Sequence, residues 1–134
     1  MDRVIFYELN GEKHPLVFTF GVSEYVDEKY DGFSKFAKAI DKSATEALKA
    51  FVLLNQQGCA YMNKKYRDMP PEPGAHIVKG LYTPLTKEEL ELELDPLARV
   101  DIVTAIVDAF KASTETRIKG IDLKKAEAGQ GAEI

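Results

Sequence analysis

RVIFYELNGEKHPLVFTFGVSEYVDEKY, residues 3–30, decides how the rest of the chain is read. Val4, Phe6 and Glu8 alternate with Ile5, Tyr7 and Leu9 in a run rich in β-branched and aromatic residues, the period-two pattern of a strand. Asn10-Gly11 comes next, the dipeptide best suited to a tight hairpin turn, because both central residues tolerate positive φ. The return strand is expected over residues 14–20, with Leu16, Phe18 and Phe20 on one face. Pro15 lacks an N–H and belongs near a strand start or on an edge. A lone two-stranded hairpin is marginal in water, so its apolar face must pack on the helices C-terminal to it.

Those helices are marked by spacing and caps. Gly21 is expected to break the strand and Ser23 to cap a first helix, whose stripe is Val22, Tyr25, Val26 and Tyr30. Asp31-Gly32 interrupts it, with Gly32 as the C-cap. Phe33, Phe36, Ala37 and Ile40 form a second short helix. Ser43 and Glu46 fit a capping box, which places the start of the longest helix there. Its apolar face carries Ala44, Ala47, Leu48, Phe51, Val52, Asn55, Cys59 and Met62. Leu53 and Leu54 widen it past a simple stripe, so more than one side should be covered, by the hairpin and by another helix or subunit. Gly58 costs about 1 kcal/mol relative to Ala inside a helix and marks a close approach by another backbone.

Periodicity stops over residues 67–84, where Pro70, Pro71, Pro73 and Gly74 cannot share a helix. The segment is expected to be an exposed irregular excursion. Thr86 and Glu89 form a second capping box. Residues 90–94, LELEL, alternate like a strand, but the cap favours a short helix. Asp95-Pro96 starts a last helix with the stripe Val100, Val103, Ile106, Val107 and Phe110, broadened by Leu97 and Ile102 and ending near Thr114. The expected fold class is α+β: a two-stranded hairpin packed on a bundle of four or five helices. Residues 1–117 form one domain and residues 118–134 a flexible polar tail.

The chain has 134 residues, a formal net charge of −4 and a single cysteine. This is the composition of one globular domain from a reducing compartment. The acidic balance speaks against a nucleic-acid binder. No stretch approaches the length of a membrane span, and residues 1–11 lack a signal peptide's apolar core. A cytoplasmic location is expected.

No catalytic motif is evident. His14, His76 and Cys59 share no metal-ligand spacing. Cys59, a nucleophile if a histidine lowered its pKa, sits on an apolar helix face like a packing residue. Glu88, Glu89, Glu91, Glu93 and Asp95 would need a pocket to act as a carboxylate pair. They lie at helix starts, where negative charge is favourable anyway. Lys64, Lys65 and Arg67 complement a helix end, and Tyr25 and Tyr30 read as half-buried with wet hydroxyls. Neither an enzyme activity nor a cofactor is expected.

The stretch ELNGEKHPLVFTFGVSEYVDEKYDG, residues 8–32, resembles the N-terminus of bacteriophage tail assembly chaperones from long-tailed phages and prophages. The shared features are the Asn10-Gly11 hairpin, the Leu16, Phe18 and Phe20 return strand, and a helix after it that ends in an acidic-basic run. The outline continues through a long apolar helix, a loop, the Pro-Leu-Thr-x-Glu-Glu-Leu start at Pro84 to Leu90, and a final amphipathic helix. The resemblance spans residues 3–116. It implies a non-catalytic chaperone that keeps the long tape-measure protein soluble in the bacterial cytoplasm. It also implies help for tail-tube subunits polymerising around that protein, self-association into a homo-oligomer, and absence from the mature virion. Contact surfaces expected on this reading include the hairpin's outer face (Ile5, Tyr7, Leu9), together with Leu53, Leu54 and Tyr82. The alternative is a small oligomeric adaptor unrelated to phage tails.

Overall fold

A computed structural model describes residues 2–127, with side-chain surroundings through Glu115. Strands β1 (Ile5–Leu9) and β2 (Glu12–Leu16) pair antiparallel, with Ile5 opposite Leu16 and Leu9 opposite Glu12. Asn10 and Gly11 both take positive φ, 53° and 81°, as a two-residue hairpin turn requires.

The return strand is shorter than expected. It stops at Leu16, and helix α1 (Phe20–Tyr30) already begins at Phe20. Thr19 is the cap in place of Ser23, accepting from Val22 N–H at 3.3 Å. Gly21 is therefore helical and breaks nothing, and Phe20 is 80% exposed instead of sharing a strand face with Leu16 and Phe18. A threonine oxygen that satisfies an orphan helical donor outcompetes continuation of the strand through residues 17–20.

Asp31, at φ 62°, ends α1, and Gly32, at φ 119°, opens α2 (Phe33–Lys42). The expected break is thus present, but the left-handed C-cap falls on Asp31. Helix α3 (Ala44–Lys65) starts under the Ser43 side chain, which accepts from Glu46 N–H at 3.2 Å. The Glu46 carboxylate is engaged by the Tyr30 hydroxyl and, at 3.1 Å, by Lys29, so it ties the end of α1 to the start of α3. Helix α4 (Lys87–Glu93) carries the full reciprocal box between Thr86 and Glu89, and residues 90–93 are helical as the cap requires. Asp95 accepts from Leu97 and Ala98 N–H at 2.8 and 3.0 Å at the entrance of α5 (Ala98–Glu127).

Two expectations for α5 are corrected. Ile102 and Ile106 are buried as expected, together with Ala98, Ala105 and Ala109, but Leu97 and Val100 are 82% and 68% exposed. Small alanines let the helix lie close against α3, while Val103 and Phe110 pack at the margin of the core and Val100 turns to solvent. The helix also continues past Thr114 to Glu127, because good helix formers outweigh the single Gly120. The remainder of the expected tail, residues 128–134, lies outside the described residues.

The main core gathers Leu16, Phe18, Phe36, Phe51, Leu54 and Ile106 among others, all buried. Phe18 meets the rings of Phe33, Phe36 and Phe110 edge-on, and Phe33 stacks on Phe110 at 3.9 Å. A smaller cluster holds Val4, Val17, Cys59, Met62 and Tyr82. The hairpin separates the two. Ile5, Tyr7 and Leu9 lean on the main core, and Phe6 on the smaller cluster. Alternation in β1 therefore sends Ile5, Tyr7 and Leu9 to the main core and Phe6 to a second apolar environment, with only Glu8 facing water.

Helix α3 reaches the hairpin through Gly58. A Cβ there would lie 2.2 Å from the Pro15 carbonyl oxygen, so the expected close backbone approach is present. Asn55, fully buried, donates to that same Pro15 carbonyl at 3.1 Å and accepts from Leu85 N–H at 2.9 Å.

The segment 67–84 is irregular and largely exposed over residues 67–74, as expected, but its second half is ordered against the rest of the fold. It contains strands β3 (Ile77–Val78) and β4 (Leu81–Tyr82), joined by Lys79 and Gly80 at positive φ. Lys13 N–H donates to Gly74 at 2.8 Å, and His76 N–H donates to Lys13 at 3.1 Å, so the segment covers the free edge of β2. Asn63 clamps Tyr82 in both directions, accepting from its N–H at 2.9 Å and donating to its carbonyl at 3.0 Å.

Candidate partner-binding groove

Helices α3, α4 and α5 meet around a groove of about 220 Å³. Leu90 and Leu94 wall it from α4 and its end, Leu48 from α3, and Ile102 from α5. The space exists because Ala44, Ala47 and Ala98 stand where longer side chains would fill it. The α4 cap fixes the first turn and so the direction in which Leu90 and Leu94 point. Asp95 and Pro96 turn the chain sharply between α4 and α5. Arg99, also in the lining, donates to the Lys42 carbonyl at 3.4 Å and ties α5 to the end of α2. Glu91 pairs with Lys87 at 3.4 Å across one turn of α4. With apolar walls and charge confined to Glu91, Asp95 and Arg99, the groove is suited to apolar side chains of another chain.

None of the six contact residues expected from the sequence lines this groove. Ile5, Tyr7 and Leu9 do not form an outer face. They are half-buried against the main core, with the Tyr7 ring edge-on to Phe51 at 5.1 Å. Leu54 is fully buried, Leu53 packs beside the same core, and Tyr82 is 8% exposed in the smaller cluster. The physical reason is that the Ile5, Tyr7 and Leu9 face is the one turned to α3 and α5, while the 67–84 segment covers the opposite, Phe6 side of the hairpin, a second cover that the sequence pattern does not reveal. The groove residues carry a legible signal: Leu48 lies on the long helix's stripe and Leu94 in LELEL. That they face each other across three alanines depends on the packing of three helices.

Cys59 stands apart from the other chemical candidates. Cys59 is 2% exposed, and burial pushes its thiol up to about 12. Glu89 is committed to the α4 cap, which holds its carboxyl below the usual range. Glu93 accepts from Asn10 at 2.7 Å. The two histidines, far apart in sequence, come together with ring centroids 5.4 Å apart and border the same space as Glu89 and Glu93. Among the described residues, no group of three or more His, Cys, Asp or Glu is placed to hold a metal ion. Among the same residues, no helix is long and apolar enough to cross a membrane. Comparison with protein families, with curated proteins and with solved structures gave no match.

Proposed function

We propose that the chain is a tail assembly chaperone of long-tailed phages or prophages. In this role it holds the tape-measure protein and tail-tube subunits in the host cytoplasm during morphogenesis, without catalysis. The observation that carries this reading is the apolar groove between α3, α4 and α5, on a hairpin-and-helix fold of the kind that the resemblance implies. A long coiled-coil partner exposes apolar a and d positions until its final neighbours arrive. A groove walled by leucines covers a few of them at a time, and repeated copies along the partner cover many. Such binding is shallow enough to be displaced by tube subunits, whose contacts are larger and permanent.

Co-expression with the tape-measure protein and the tail-tube protein of the same phage tests the reading. The tape-measure protein is expected to move into the soluble fraction and to co-purify with the chain. Ala44→Trp, which fills the groove from an exposed position at the start of α3, should abolish capture. Thr104→Trp, on the exposed side of α5, should leave it intact. Capture unaffected by Ala44→Trp would remove the groove from the mechanism, and no capture at all would remove the chaperone reading.

A second reading, a small oligomeric adaptor, is favoured by one feature. Leu97 and Val100 are 82% and 68% exposed near the start of α5, outside the groove. Copies paired through that edge would give a stable oligomer that Val100→Lys dissociates, seen by sedimentation.

A further inference from the structure

A second cavity, of about 240 Å³, lies where the β1–β2 turn, the segment around His76 and helix α4 meet. Its lining includes Glu12, His14, His76, Glu89 and Glu93, with leucine side chains completing the wall. Three carboxylates thus face one space, and no lysine or arginine lines it. Each carboxylate has an internal partner. Glu12 lies 3.1 Å from His76 Nδ1, Glu89 accepts from Thr86 N–H at 2.9 Å, and Glu93 accepts from Asn10 Nδ2 at 2.7 Å. A carboxylate offers about four acceptor sites, so most of their capacity is unused.

His14 supplies an independent observation. Its side chain forms part of the same wall, is 1% exposed, and leaves Nδ1 with no hydrogen-bond partner. An imidazole nitrogen buried without a partner is costly and uncommon unless something else uses the site.

We propose that this cavity binds one organic cation, an ammonium or guanidinium group, held between Glu12, Glu89 and Glu93 with the His14 ring as its buried polar wall. The chemistry matches on both sides. Ammonium and guanidinium groups only donate hydrogen bonds, and ionised carboxylates only accept them. The leucine wall suits the alkyl stem that carries such a group. A metal ion fits less well, because among the described residues no three His, Cys, Asp or Glu are placed closely enough to hold one. This inference stands apart from the chaperone reading, since the two cavities share no lining residue.

The test titrates the isotope-labelled full chain with N-acetyl-arginine amide, with spermidine and with zinc chloride, monitoring the imidazole signals of His14 and His76 at low salt. Saturable shifts with the organic cations are expected, with a Kd of about 1 mM for a single side-chain group. Glu12→Gln and Glu89→Gln should each weaken binding about tenfold, by removing a charge-assisted contact. Glutamine keeps the size of each side chain, and at position 89 it keeps the cap. Tighter binding of a helical peptide presenting arginine than of the arginine amide would identify a partner protein's side chain as the source. Tighter binding of spermidine would identify a free amine. Absence of a saturable shift, shifts unchanged in both glutamine variants, or a response to zinc alone would overturn the proposal. Capture through the α3–α4–α5 groove would be unaffected by any of these failures.

Discussion

At Gly58 a single hydrogen atom is all that the packing admits. Ala at this position would place Cβ within 3 Å of the Pro15 carbonyl and the Leu16 nitrogen, both backbone atoms that cannot swing aside. Gly58→Ala is expected to lose about 3 kcal/mol, the upper range for overpacking, despite its better helix propensity. Urea unfolding measures this, and a stabilised variant would refute the close approach. The glycine is legible in the sequence because an unexplained helix-interior Gly has few other reasons to exist. Its neighbour Asn55 is not. On a helical wheel it is one more member of the apolar face. Its value lies in two backbone groups, 40 and 30 residues distant, that only the fold brings to it. Cys59, one turn beyond Asn55, gives a sharper test. With its thiol pushed up to about 12 by burial, almost no thiolate exists at neutral pH. A thiol reagent should react only as fast as the chain opens, and the rate should rise with urea along the unfolding transition. Fast labelling of the native chain would contradict the placement of the side chain.

Among the elements, the β3–β4 hairpin is the least legible. Three prolines hide it, and its two strands are too short to show a period. It is folded because Asn63 takes the place of a neighbouring strand for Tyr82, and because the free edge of β2 is available to Gly74 and His76. Asn63→Ala leaves the Tyr82 N–H and carbonyl without those partners. Amides in residues 74–83 should then exchange about 10- to 100-fold faster, the equivalent of one to two unsatisfied groups, while α1 and α2 keep their protection. Uniform loss of protection would mean that this hairpin is part of the cooperative core. Helix α4, by contrast, is readable from its cap alone, since the reciprocal Thr86 and Glu89 bonds are local. The phase of α5 is not. The larger valines dominate any hydrophobic count, whereas alanines dominate a close helix contact.

For the molecule as a whole, acid should weaken the fold in a window set by His14. Burial, and after it the His76 imidazole, holds the His14 pKa below that of an ordinary histidine. The folded chain therefore takes up this proton less readily than the unfolded one. Stability is complete above about pH 6.5 and falls as the pH drops through that value toward the folded-state pKa. Thermal unfolding should show a lower Tm at pH 5.5 than at pH 7.5, and His14→Leu should flatten the difference. An unchanged slope in His14→Leu would assign it to another group. The α+β class is legible because the Asn10-Gly11 turn and the caps at Ser43 and Thr86 are local signals. The groove and the His14 cavity are not, because each needs three elements in place. The hairpin's two-sided burial also has a consequence for synthesis. It leaves the ribosome before α3, the 67–84 segment and α5, so at that moment neither of its covers exists. Its tie to α5, seen in the Arg3 to Ser113 contact, spans 110 residues. A nascent chain halted before α3 would carry a bare, marginal hairpin, and one halted before α5 would still lack the last part of its cover. Closure of the N-terminal segment is thus among the last events of folding, and a holdase that binds exposed apolar chain would find its substrate there.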